Sequence, residues 1–200
     1  MYESTSIPVN HGSLDAMFES SNNDKAVIIT HPHPQYGGDM YNSVVHWLAN
    51  VFGKKGYSTL RFNFRGVGES TGQYNNGIGE QDDLKAAIDY LAEKKYTSIA
   101  LAGYSFGTWI MHNLVIRDKL KNDLFYISPP VDFIEFRKEI KLPNLRSVIV
   151  GDRDDFASIK NLEDYVDNWK SDIKINVISG ADHFYTGYLE KIESALNSRQ

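Results

Sequence analysis

A doubly wound, mostly parallel α/β sheet with helices on both faces is the architecture this sequence predicts. Three observations lead there. Short apolar, β-branched runs alternate with longer segments whose apolar residues recur at helical spacing. The residues able to do chemistry fall directly after those runs, where ligands bind in such a sheet. Finally, 200 residues, 42% of them hydrophobic and 24% charged, suffice for one core that fills both sides of a sheet.

The elements follow in order. Residues 4–18 are expected to form an antiparallel edge hairpin. Ala26–Thr30 reads as a buried strand ending at His31-Pro32, and Val44, Val45, Leu48, Val51 and Phe52 mark a helix that stops near Gly53 and Gly56. Ser58–Phe64 is the next strand, closed by Arg65-Gly66. A glycine-rich loop then leads to a helix carrying Leu84, Ala87, Ile88 and Leu91. Ser98–Ala102 is an apolar strand followed by a helix from about Thr108 to Lys119. Leu124–Ile127, Ser147–Val150 and Ile175–Ile178 supply further strands, with Leu162–Trp169 and Leu189–Leu196 as helices. No repeat, low-complexity block or linker interrupts the pattern, so residues 1–200 are expected to form a single domain.

Composition narrows the function. A net charge of −5 gives no electrostatic pull toward nucleic acid or anionic membrane. Cysteine is absent, which excludes disulfides, thiolate metal sites and cysteine nucleophiles and suits a reducing cytoplasm. Met1–Asn10 lacks the basic-then-apolar pattern of a secretory signal. Runs such as Ala26–Ile29 and Val148–Val150 fall far short of the roughly 18 residues a membrane helix requires. The expectation is a cytoplasmic protein without membrane contact, either monomer or homodimer, with an exposed edge strand or the Phe133–Phe136 segment as the dimer surface.

Gly103-Tyr104-Ser105-Phe106-Gly107 is a G-x-S-x-G pentapeptide between an apolar strand and a helical run. A serine there sits on a very tight strand-to-helix turn, and its flanking glycines avoid Cβ clashes. The helix N-terminus then faces the site, and the Phe106 N–H is placed to stabilise an oxyanion. Gly68-Glu69-Ser70-Thr71-Gly72 matches the same pattern but runs into turn-rich Gln73–Gly77, so Ser70 is read as part of a glycine-rich surface loop.

A serine hydroxyl requires a base. Of six histidines, only His112 and His183 follow Ser105. His112 lies on the helix after the serine, whereas His183 sits in the loop after the last strand, so His183 is the candidate base. The acid is expected after Ser147–Val150, where Gly151-Asp152-Arg153-Asp154-Asp155 offers three aspartates. Asp152 lies close to the strand end and is read as orienting the loop. Asp154 ranks first and Asp155 second; spacing alone leaves the choice open. A cation site in this acidic cluster lacks a second cluster to complete it and carries Arg153 in its midst.

Taken together, this ordered set resembles the α/β-hydrolase superfamily, and within it the small dienelactone-hydrolase-like, predicted-hydrolase branch. The resemblance runs from about Ala26 to Leu196 and rests on His31-Pro32-His33-Pro34, Arg65–Ser70, Gly103–Gly107, Gly151–Asp154 and Gly180-Ala181-Asp182-His183-Phe184. It implies a serine hydrolase fold with minimal or no lid, and its G-x-x-D pattern points to Asp154. Dienelactone hydrolases proper use a cysteine, absent here, so their substrate does not transfer. The His-Pro-His-Pro turn occupies the place where many relatives carry an oxyanion donor. Because Pro32 and Pro34 have no N–H, His33 is the implied second donor and Gln35 the fallback. A His31-x-His33 metal site lacks a third ligand.

The expected reaction is acyl transfer to water from a small ester or thioester by Ser105, His183 and Asp154, without cofactor or metal. Residues 128–145 form at most a small cap, leaving an open pocket for short acyl groups, with Tyr36, Tyr41, Phe156 and Tyr185 flanking it. The alternatives are a non-catalytic binding protein of the same fold, or an acyltransferase or peptidase.

Overall fold

The computed structural model describes residues 2–197. Its strands are β1 (Glu3–Val9), β2 (Gly12–Glu19), β3 (Lys25–Thr30), β4 (Ser58–Phe62), β5 (Ser98–Tyr104), β6 (Leu124–Ile127), β7 (Leu145–Gly151) and β8 (Ile175–Ile178). The helices are α1 (Ser43–Lys54), α2 (Ile78–Glu93), α3 (Phe106–Arg117), α4 (Ile159–Trp169) and α5 (Leu189–Asn197). The strands form one eight-stranded sheet in the order β1-β2-β4-β3-β5-β6-β7-β8. The β1–β2 and β2–β4 pairs are antiparallel and all others parallel. The hairpin expected at residues 4–18 is therefore present and occupies one edge.

Burial explains why the strands read as they do. In β3 every residue after Lys25 is buried, because helices cover both sides of a parallel strand. Ile28, Leu101, Val148 and Val150 face a core built with α2, α3 and α4. Their neighbours Val27, Ile29, Ala102 and Ile149 face a second core under α1 and α5. β2, at the antiparallel end, alternates half-buried and buried residues instead.

α2 starts six residues before the apolar periodicity at Leu84. In its first turn Ile78 is exposed and the polar Glu80 is buried: the Glu80 carboxylate accepts N–H groups from Asn75 (2.8 Å) and Gly77 (2.7 Å). Asp83 accepts from the Arg65 guanidinium at 2.7 Å. Side-chain capping, not an apolar face, sets this boundary. The interval 128–144 contains turns but neither helix nor strand, so it forms no helical lid over the C-terminal ends of the strands. No described helix is long and apolar enough to cross a membrane.

Two buried histidines couple the fold to pH. His31, at the end of β3, donates from Nδ1 to Pro32 O (2.7 Å) and accepts at Nε2 from the Phe64 N–H (3.0 Å), a pattern only the neutral ring satisfies. His112 on α3 packs against Phe136 and Trp169, its ring centroid 5.0 and 4.9 Å from theirs. Burial pushes both down to about 4 from the ordinary 6.5. The unfolded chain takes these protons below pH 6.5 while the folded chain resists them until about 4. Their contribution to stability is therefore complete above pH 6.5 and lost as pH falls toward 4. We expect each to cost about 2–3 kcal/mol between pH 7.5 and 4.5 in urea unfolding, with a shallower decline in His112→Gln. An identical decline in that variant would contradict the assignment.

Candidate active site

β5 delivers Ser105 to α3 through a turn that few sequences permit. A Cβ on Gly103 would sit 2.8 Å from the Thr108 backbone nitrogen, and one on Gly107 would sit 2.7 Å from the Thr30 carbonyl oxygen. Ser105 itself has φ 52° and ψ −123°, a strained conformation for a residue with a Cβ. Hydrogen bonds on both sides hold it there. Its N–H donates to Ile127 O (2.9 Å), and its carbonyl accepts from Thr108 Oγ1 (2.6 Å).

The loop after β8 brings His183 over this turn. His183 Nε2 lies 2.9 Å from Ser105 Oγ, and Nδ1 lies 2.9 Å from both carboxylate oxygens of Asp154. An ionised carboxylate accepts only, so Nδ1 carries the ring proton and Nε2 accepts from the serine hydroxyl. The Asp154 side chain is fully buried, and it also accepts the Phe156 N–H at 2.9 Å. The His183 loop is tied down from below: Tyr104 OH donates to His183 O at 2.8 Å. Burial raises the Tyr104 phenol well above its ordinary value, which keeps this donor protonated.

The neighbouring aspartates are spent or remote. Asp152 accepts from Gly180 N (2.7 Å) and Ser179 Oγ (2.9 Å), bonds that hold its carboxyl below the usual range and link the acid loop to the histidine loop. Asp155 is exposed. His31 uses both ring nitrogens inside the core, and the described residues contain no cluster of three His, Asp or Glu able to hold a metal.

The segment after β3 forms a single 3-10 turn, Pro34–Tyr36, capped when His33 Nδ1 accepts the Gln35 N–H at 3.2 Å. Gln35 is thereby occupied. Among the described residues, neither the His33 nor the Phe106 N–H meets a backbone acceptor outside its own element. The His33 ring packs against Phe106 with centroids 4.6 Å apart and planes tilted by 52°, beside the N-terminus of α3.

Ser70 lies, as read from the sequence, in an exposed glycine-rich loop, with Gly66, Gly68, Glu69, Thr71 and Gly72 all at the surface, but its own side chain is buried beneath that loop. Its Oγ donates to Asn63 O (2.7 Å) and accepts from Asp15 N (2.9 Å), stitching the glycine-rich loop to β2. Replacing it with alanine strands a buried carbonyl and a backbone N–H. Ser70→Ala is expected to lower stability by about 1–3 kcal/mol in urea unfolding, leaving Ser105 and His183 in place.

A cleft of about 410 Å3 opens over Ser105 and His183. Tyr36 and Phe156 line it, as expected, but two other predicted residues do not. Tyr185 is buried, with its OH 2.7 Å from Ser128 Oγ, because its φ of 55° turns the side chain under the loop. Tyr41 projects outward beyond the cleft, where its N–H donates to the Asp39 carboxylate. Their places are taken by Phe133 and Ile134 of the short 128–144 interval and by Phe184. The signal for Phe184 was its position directly after His183.

No family model matches the chain. An uncharacterized protein of Rickettsia prowazekii (strain Madrid E) is 38% identical over 188 residues, covering 89% of this chain and 79% of that one. A solved α/β serine hydrolase homologue from Coxiella burnetii superposes with a TM-score of 0.89 at 34% identity, covering 97% of this chain and 95% of its own. An α/β serine hydrolase without a lid from Xanthomonas campestris gives a TM-score of 0.84 at 27% identity, over 98% and 91% of the two chains.

Proposed function

The chain belongs to the α/β-hydrolase superfamily, and on that premise we propose that it is a serine carboxylesterase acting on small esters through an acyl-enzyme. The observation that carries this reading is His183, suspended 2.9 Å from Ser105 Oγ on one side and 2.9 Å from the Asp154 carboxylate on the other.

Ser105 Oγ attacks the ester carbonyl as its proton passes to His183 Nε2. Asp154 keeps the ring proton on Nδ1 and stabilises the imidazolium that forms. The N–H groups of His33 and Phe106 receive the oxyanion, the second helped by the positive end of α3. His183 then returns the proton to the leaving alcohol, and water repeats the sequence on the acyl-enzyme. The open cleft admits that water directly. No step calls on a metal or organic cofactor.

A fluorophosphonate probe tests the assignment, since it reacts only with an activated serine. Wild type and Ser70→Ala are expected to label, and Ser105→Ala is not. A wild type that resists the probe would instead favour a non-catalytic binding protein.

A further inference from the structure

We propose that the cleft selects neutral esters whose alcohol portion carries a planar aromatic ring, held by an arch of Tyr36, Phe133 and Phe156; this rests on the ester-hydrolase reading above. The arch is a continuous series of rings. Tyr36 and Phe133 meet at 6.2 Å between centroids and 65° between planes, and Phe133 and Phe156 at 5.6 Å and 87°. Phe156 then lies 4.8 Å from the His183 ring, and Phe184 stands on another side of it at 5.7 Å.

Large apolar side chains are costly to leave in water without purpose. Yet Tyr36 is 75% exposed, Phe133 52% and Phe184 62%, all around one cleft. Phe133 is also fixed in place. Its N–H and that of Ile134 both donate to Pro130 O, at 3.0 and 2.9 Å, and Asp132 N donates to Phe156 O at 3.1 Å. The Asp132 carboxylate accepts the Ser158 N–H at the start of α4. The rings are thus preorganised by backbone contacts, and binding need not order them.

Their edge-to-face arrangement decides the ligand chemistry. Successive rings present faces and edges in turn, so a flat aromatic group can offer its edge to one and its face to the next. A saturated ring of the same size would gain only area burial. The lining contains no Asp, Glu, Lys or Arg, so a charged group entering would lose water without gaining a partner. Proton return fixes the orientation: the leaving oxygen must reach His183 Nε2, whose ring is bracketed by Phe156 and Phe184. The aromatic ring therefore travels with the alcohol.

Benzyl acetate and cyclohexylmethyl acetate differ little in size, and the saturated ester is the more apolar, so area burial alone favours the second. Methyl 3-phenylpropanoate and methyl 3-cyclohexylpropanoate put the same contrast on the acyl side. We expect kcat/KM for benzyl acetate to exceed that for its saturated partner by about tenfold. The ratio should fall toward one in Phe133→Leu, a change at a half-exposed turn residue, and no such preference should appear in the acyl pair. Binding of N-benzylacetamide against N-(cyclohexylmethyl)acetamide, titrated by NMR into the whole protein, reads the same subsite without turnover. Aromatic selectivity in the amides with no ester hydrolysis would sustain the arch and remove the esterase reading. Serine-dependent hydrolysis with a benzyl-to-cyclohexylmethyl ratio at or below one would overturn the arch while leaving the esterase. So would a ratio that survives Phe133→Leu, or a preference confined to the acyl pair.

Discussion

Ser105→Ala is expected to lower kcat for ester hydrolysis by roughly 10^6-fold, equivalent to about 8 kcal/mol of barrier. The size follows from what remains. Without Oγ there is no atom to form the acyl-enzyme, and His183 is left to activate water at a distance suited to a serine oxygen. The His33 and Phe106 N–H groups still polarise a bound carbonyl, so a residue of catalysis above water is expected. The same position allows function to be separated from stability. At φ 52° and ψ −123° the Cβ of Ser105 is strained, a cost of about 1–3 kcal/mol that alanine keeps and glycine relieves. Glycine gives back about 0.5–1 kcal/mol in backbone entropy, so with a net gain of about 1 kcal/mol Ser105→Gly should be as inactive as Ser105→Ala yet melt about 2–4 °C higher than wild type by calorimetry. Equal melting temperatures for the two variants would mean that the turn stores no strain beyond that entropy, and full activity in either would remove Ser105 from the reaction.

Why Ser105 and not Ser70 was readable from sequence has a physical reason. A parallel strand buried on both faces appears as an unbroken apolar run, so Ser98–Ala102 announced itself, and a helical run had to follow the serine. The pentapeptide around Ser70 lies between neither. What sequence concealed is that Ser70 is buried, since its partners are Asn63, just after β4, and Asp15, in the middle of β2 and 55 residues away. The pocket was less legible for a similar reason. Tyr185 lies two residues from His183, but one left-handed residue reverses its direction and sends it to Ser128. Phe133 sits in a stretch without periodicity, and the hydrogen bonds to Pro130 and from Asp132 to Phe156 give it its place near Phe156. Local pattern reports burial by regular elements; it does not report which way a loop residue faces.

The aspartate cluster shows where that limit falls and supplies the second large effect. Asp152, Asp154 and Asp155 are nearly equivalent by spacing, yet the loop turns them in three directions. β7 ends against the histidine loop, where a Cβ on Gly151 would lie 2.1 Å from Ala181 O, so only glycine lets the two backbones approach this closely. Asp152 is thereby aimed at Gly180, Asp155 at solvent, and Asp154 inward at His183 Nδ1. Asp154→Asn preserves the shape but replaces one acceptor oxygen with an N–H2 donor. The amide can still accept from Nδ1–H through its oxygen, but it offers no charge to the imidazolium, and its nitrogen favours the tautomer with Nδ1 unprotonated. In that tautomer Nε2 carries the proton and cannot take one from Ser105. A loss in kcat of about 10^4-fold is expected near neutral pH. Asp155→Asn should stay within about twofold of wild type, because an exposed carboxylate contributes little to a buried imidazole through water. Asp152→Asn should act on stability, through the Gly180 and Ser179 bonds, more than on rate. Measuring kcat and the urea midpoint for all three variants separates these roles. A large rate loss in Asp155→Asn with Asp154→Asn near wild type would relocate the acid by one residue and force a different loop conformation in solution.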